Sequence, residues 1–275
     1  MEDTATILHS IVKYKGTQPT DLEDILAIEE PLEIKIKHPE EGPGETHTLA
    51  VTMRTPGEDE ALALGFLFTE GIITSPQQVD YVEAPFWTPN SITVHLQKGA
   101  TIKMPDQKRN FYTTSSCGVC GKASIEAIKT VSSFVINRHT APVGMDVIYG
   151  LMDSLHHQQS VFSTTGGLHA SALFTTDGTL AYLCEDVGRH NALDKAIGKA
   201  LQGELLPLKD NILLLSGRAS FELLQKANMA GIPIVVALGA PSSLAVQTAQ
   251  SFGITLIGFL KTHSFNIYTF PERIK

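Results

Sequence analysis

Leu32, Ile34 and Ile36 alternate with Glu33, Lys35 and Lys37, a period-two pattern that predicts a strand with one buried and one wetted face. Leu49, Val51 and Met53 repeat the pattern, which leaves EEGPGE as the loop between two strands. Thr55-Pro56-Gly57-Glu58 then reads as a capping box with proline at the first helical position. The helix it opens carries Leu62, Phe66 and Leu67 on one side and stops at Gly71, a residue suited to the left-handed cap. Ser91 to Leu96 returns to strand. From Pro105 to Gly121 no apolar period remains, and a long loop is predicted. Loops of that length inside compact domains are usually functional or disordered.

The second half is patterned differently. Val147, Ile148, Leu151 and Leu155 suit a helix, and His169 to Thr175 with Thr179 to Leu183 flank Asp177-Gly178, a hairpin signal. From Arg189 helices and strands alternate: NALDKAIGKAL, NILLL, FELLQKANMA, IPIVVAL, SLAVQTAQSFG, ITLIGFL. The later strands are almost continuously apolar, as expected of strands covered on both faces. Such alternation means βαβ units and an α/β layer fold. A change of pattern over NRHTAPVG divides the chain into a strand-rich region, residues 1–137 with the loop 105–121, and an α/β region, residues 138–275.

Composition narrows the class. A chain of 275 residues with 43% hydrophobic and 18% charged residues buries a sizeable core and reads as soluble. The formal net charge of −8 argues against a protein that coats nucleic acid or an acidic membrane. Three cysteines are too few for a secreted disulfide scaffold. The start, MEDTATILHS, has no basic region followed by an apolar one, and no apolar run reaches membrane-spanning length. Together these predict a cytoplasmic location.

Two of the cysteines, Cys117 and Cys120, lie in NFYTTSSCGVCGKAS. A structural zinc site wants four ligands, commonly two spaced pairs, and this chain has one CxxC, so no bound metal is expected. A thioredoxin-type couple follows a core strand, whereas a polar loop precedes Cys117. Cysteines without a role are mostly buried. A reactive thiolate on an accessible arm fits best. ASIEAIKT reads as helical, which sets both thiols near a helix N-terminus with Lys122 close by, and both features favour the thiolate.

The CxxC in its Ser/Thr-rich loop, the block Glu185-Asp-Val-Gly-Arg-His-Asn-Ala-Leu-Asp194-Lys195, and Ser216-Gly217-Arg218 before a helix together resemble the formate dehydrogenase accessory sulfurtransferases, the FdhD family. The resemblance covers the chain from Pro31 onward. It implies a two-domain protein whose C-terminal domain is a three-layer α/β domain similar to cytidine deaminases. It further implies that a cysteine desulfurase supplies sulfane sulfur, carried as a persulfide on Cys117 with Cys120 as its helper. The sulfur would pass to the molybdenum or tungsten bis-molybdopterin guanine dinucleotide of formate dehydrogenase, bound as substrate and imitated in part by GDP. A homodimer is implied as well. The alternative is a chaperone that binds this cofactor without sulfur chemistry.

Deaminase chemistry itself is not expected. His169-Ala-Ser171 has serine where the deaminase signature has its glutamate, and no CxxC follows. What remains is a binding cleft. In open α/β sheets ligands sit beyond the carboxyl ends of strands, here Ser216-Gly217-Arg218, Gly239 to Ser243 and Lys261-Thr262-His263-Ser264. Two of these lead into helices, whose N-termini favour phosphate, and Arg218 offers a bidentate contact. Arg218 could instead pair with Asp186 as a structural element. His190, beside the candidate ligand-binding Arg189, divides similarly between ligand and helix-capping roles. By resemblance, Phe259, Leu260, Lys261, Thr262, His263 and Ser264 would touch the guanine dinucleotide. His156-His157 reads as a wetted helix end, since adjacent residues point apart.

Overall fold

The computed structural model describes residues 5–42, 45–102, 132, 134–136 and 142–275. Cys117, Cys120, the helix expected over ASIEAIKT and the 137/138 division all lie outside the described residues.

Among the described residues, three sheets organise a mixed α/β fold. The first is a hairpin of β1 (Thr6–Lys15) and β2 (Gln18–Ala27), for which the sequence pattern gave no expectation. The second holds β3 (Glu30–Lys37), β4 (His47–Arg54), β5 (Val79–Glu83) and β6 (Ser91–Leu96) in the order β4-β3-β6-β5. The expected inward face of β4 is corrected. A register shift between the pairs Ile34↔Ala50 and Lys35↔Thr48 skips Leu49. Beyond it Met53 turns outward, 40% exposed, while Arg54 is buried. A one-residue slip exchanges the two faces of a strand.

Helix α1 (Asp59–Thr69) lies between this sheet and the C-terminal half. The capping box expected at Thr55 is also corrected: Glu58 occupies the N-cap at φ 58 without a side-chain cap bond. Arg54, 1% exposed, grips Asp59 through Nε and Nη2, both at 2.9 Å. Gly71, at φ 72, follows the last turn as expected.

The third sheet has six strands: β7 (His169–Thr175), β8 (Leu180–Asp186), β9 (Asn211–Leu215), β10 (Ile234–Ala237), β11 (Thr255–Lys261) and β12 (Ser264–Thr269). Their order is β12-β11-β10-β9-β7-β8, with β9, β10 and β11 mutually parallel. Helix α2 (Met145–Gln158) covers one face through Ile148, Leu151 and Leu155 against Ile212, Leu214, Ile234 and Val236. Helices α4 (Arg189–Gln202), α5 (Phe221–Met229) and α6 (Ser243–Phe252) cover the other, against Leu213, Leu215, Val235 and Ala237. The short α3 (Ser160–Thr165) packs near β2. Coverage on both faces explains why β9 and β10 read as unbroken apolar runs. One core runs from Leu32 through α1 and α4 to Leu256.

Candidate functional site

Because β9, β10 and β11 are parallel, their carboxyl ends emerge on one edge of the sheet. Main-chain bonds lace the following segments together. Gly239 N–H donates to Gly217 O at 3.0 Å, Phe259 N–H to Gly239 O at 3.1 Å, and Ser242 N–H to Ala219 O at 3.0 Å. Helices α5 and α6 start just behind, with Ser220 and Ser242 at their N-caps. At the same edge β7 begins and β8 ends, His169 standing opposite Asp186, and α4 starts directly after Gly188. Three helix N-termini therefore converge on the edge, each with a partial positive charge.

The side chains there add to that charge. Arg218 is exposed, and Arg189 is half-buried with its Nε enclosed and not hydrogen-bonded. Ser220 Oγ is likewise enclosed and unbonded, although it sits at the N-cap of α5. Ser216 Oγ accepts the Ala170 N–H at 2.8 Å, which ties β9 to the start of β7. A Cβ on Gly217 would lie 3.4 Å from His169 Nδ1, so the imidazole stands directly over that backbone. Burial first, and then the guanidiniums of Arg189 and Arg218, hold the His169 pKa below the ordinary histidine value; Asp186 pulls the other way.

The third strand end behaves differently. Phe259 adopts φ 55, is 41% exposed, and sits in a register irregularity between Gly258 and Lys261. Left-handed backbone at a phenylalanine costs of order 1–3 kcal/mol and collects at binding and catalytic sites. Leu260 is 2% exposed and belongs to the core. Lys261, Thr262, His263 and Ser264 are exposed in the tight turn from β11 to β12, not at a helix start.

The Glu185–Lys195 block serves two ends. Asp186 is fully buried and meets Lys195 Nζ at 2.8 Å, so the Asp186–Arg218 pairing weighed from the sequence is not formed. Asp186 also accepts the N–H of Gly188 at 2.8 Å, Asn191 Nδ2 at 3.1 Å and the Thr55 N–H at 3.2 Å. Lys195 donates to Thr55 O at 2.9 Å, Asn191 Nδ2 to Met53 O at 2.7 Å, and Val187 N–H to Thr55 Oγ1 at 3.2 Å. These bonds clamp the turn before α1 onto α4, which is why Thr55 does not cap its own helix. One turn further along, Asp194 holds Lys226 Nζ at 2.9 and 3.0 Å and accepts Thr69 Oγ1 at 2.8 Å. His190 is buried in the first turn of α4, at 8% exposure. The clamp faces inward, whereas Arg189, in the first turn of α4, lies at the sheet edge near His169.

Cys184, the one cysteine among the described residues, is inert by environment. Burial and the neighbouring Glu58 push its thiol up to about 12. Among the described residues no cluster of three or more His, Cys, Asp or Glu has the geometry to hold a metal ion. No described helix is long and apolar enough to cross a membrane.

A model of the FdhD/NarQ family matches residues 27–275. The chain belongs to that family. It is 49% identical over 258 residues to a protein named "Sulfur carrier protein FdhD" of Mycolicibacterium paratuberculosis, covering 91% of this chain and 92% of that one. It is 48% identical over 273 residues to a protein of the same name from Streptomyces coelicolor, covering 96% and 94%. The fold is similar to the crystal structure of a putative formate dehydrogenase accessory protein from Desulfotalea psychrophila. That likeness has a TM-score of 0.74 and 21% identity, over 98% of this chain and 100% of the other.

Two features of this FdhD/NarQ chain escape sequence reasoning. A Cβ on Gly65 would fall 1.9 Å from Asp194 O, and one on Gly198 would fall 1.9 Å from Ala61 O. α1 and α4 thus cross backbone to backbone, the contact that brings Thr55 to Asp186 at the end of β8 and Thr69 to Asp194 of α4. The signal was two glycines inside helical patterns, but nothing in the sequence says that they face each other.

Proposed function

We propose that this chain is a sulfurtransferase. Cys117 takes sulfane sulfur from a cysteine desulfurase, aided by Cys120, and delivers it to the molybdenum or tungsten bis-molybdopterin guanine dinucleotide destined for formate dehydrogenase. The observation that carries the reading is membership in the FdhD/NarQ family alongside relatives named sulfur carriers, in a chain that contains Cys117-Gly-Val-Cys120. In the transfer, the Cys117 thiolate attacks the outer sulfur of the donor persulfide and the donor thiolate leaves. One sulfur–sulfur bond breaks as another forms, with no net redox change.

The substrate's pyrophosphate would lie at the edge formed by Ser216, Gly217, Arg218, Arg189 and His190. The guanine end would lie toward Phe259, Lys261, Thr262, His263 and Ser264, with Leu260 buried beneath them. Convergent helix N-termini, and arginines that pair with no carboxylate among the described residues, support this assignment. In the same reading residues 1–137 and 138–275 act as two domains, the second deaminase-like, in a cytoplasmic homodimer.

The test is intact-mass analysis after incubation with a desulfurase and cysteine. The wild type should gain the mass of one sulfur atom, and Cys117→Ala should gain none. Equal uptake by both proteins rejects the carrier mechanism, and no uptake by either leaves a cofactor-binding chaperone.

A further inference from the structure

We propose that His169, flanked by Arg189 and Arg218, forms an anion subsite at the base of this cleft and takes up one proton when a phosphate-bearing ligand binds. The inference rests on the cleft being the binding site and adds a residue and a proton coupling to it.

His169 is the first residue of β7, half-buried at the sheet edge, and a Cβ on Gly217 would lie 3.4 Å from its Nδ1, so the ring sits beside the segment that carries Arg218. The elements packed around it contribute three charges: Asp186 from β8, Arg189 from α4 and Arg218 from the segment after β9. Asp186 is already committed. Its oxygens accept from Lys195, Gly188, Asn191 and Thr55, so its charge is largely balanced inside the clamp. Among the described residues no carboxylate pairs with Arg189 or Arg218, and the Arg189 Nε has no hydrogen bond.

In the free protein, burial first and then the two guanidiniums shift His169 toward the neutral imidazole. A phosphate dianion between the guanidiniums cancels their repulsion and adds attraction of its own. Both changes favour imidazolium, which then donates a ring N–H to a phosphate oxygen. The proton comes from solvent, and no covalent bond to the ligand forms. Since the complex binds one more proton than the free protein, affinity must rise as pH falls through the histidine range. The His169 pKa lies below its ordinary value when free and rises on binding, so tightening is expected on going from about pH 8 to about pH 6.

GDP is the probe, titrated calorimetrically at those two pH values into wild type and His169→Gln. Two buffers of different ionisation enthalpy count the protons. GDP's own phosphate titrates equally in both experiments, so the difference between the two proteins isolates His169. The wild type should take up close to one proton more than the variant, and its affinity advantage should grow about tenfold from high to low pH. In parallel, the His169 ring resonance of the wild type should titrate at higher pH with GDP present, a readout that does not depend on the variant folding. GDP binding with equal proton uptake and an unmoved resonance overturns the proton coupling but leaves the cleft assignment standing. No GDP binding to the wild type at either pH overturns both.

Discussion

The buried clamp and the exposed edge share the Glu185–Lys195 stretch, yet they handle charge in opposite ways. In the clamp, Asp186, Lys195, Asp194 and Lys226 are all buried, and each meets an opposite charge within 2.9 Å. At the edge, Arg218 is exposed and Arg189 keeps an enclosed Nε without a hydrogen bond. Buried charge without compensation is costly, so a fold retains it only where paired. A paired cluster holds two elements in one arrangement. An unpaired cationic edge leaves attraction for something that arrives later. The difference also shows that a distinctive motif need not be a site along its whole length.

Breaking the clamp should have the largest effect. Lys195→Ala strands Asp186 in the core and should destabilise the protein by about 3–5 kcal/mol, read as a lower denaturation midpoint. A loss under about 1 kcal/mol would mean that Asp186 is not the buried partner described. Gly198→Ala should cost about 2–3 kcal/mol, because a methyl group cannot share space with Ala61 O without separating α1 from α4. Unchanged thermal stability in that variant would contradict the close crossing.

A smaller effect is expected at the outer end of the same block. Glu185 accepts the N–H groups of Val161 at 3.1 Å and Phe162 at 2.9 Å, at the start of α3. Glu185→Ala should cost about 1 kcal/mol, the usual worth of such a terminus contact, while GDP affinity stays as in the wild type. Weakened GDP binding in Glu185→Ala would blur the line between clamp and edge. Cys184 sharpens the contrast without changing stability. With its thiol pushed up to about 12 by burial and Glu58, it should resist alkylation near neutral pH in the folded protein and react only after unfolding. Alkylation of Cys184 in the native state would show that this part of the core opens.

Strands β9, β10 and β11 and helices α4 to α6 were legible because each apolar run or helical period is covered where the pattern says. The β1–β2 hairpin was not. Ile7, Leu8 and Tyr14 remain 57%, 62% and 67% exposed, so its apolar residues follow no buried face that a pattern could report. Thr55 differs for another reason: its local chemistry suits a cap, but the buried Asp186–Lys195 pair, more than a hundred residues away, takes its N–H and C=O, and the Val187 N–H takes its hydroxyl. At the site, the strand-end segments were found from topology alone, whereas the left-handed Phe259 and the facing of His169 onto Gly217 needed coordinates.

The division between clamp and edge reduces to one titration. GDP binding to wild type and Arg218→Ala, followed by calorimetry, asks whether the unpaired cation serves a ligand. Loss of a charge-assisted phosphate contact should weaken binding by about 1.5–3 kcal/mol, with the denaturation midpoint unmoved. Equal GDP affinity in the two proteins would contradict the account.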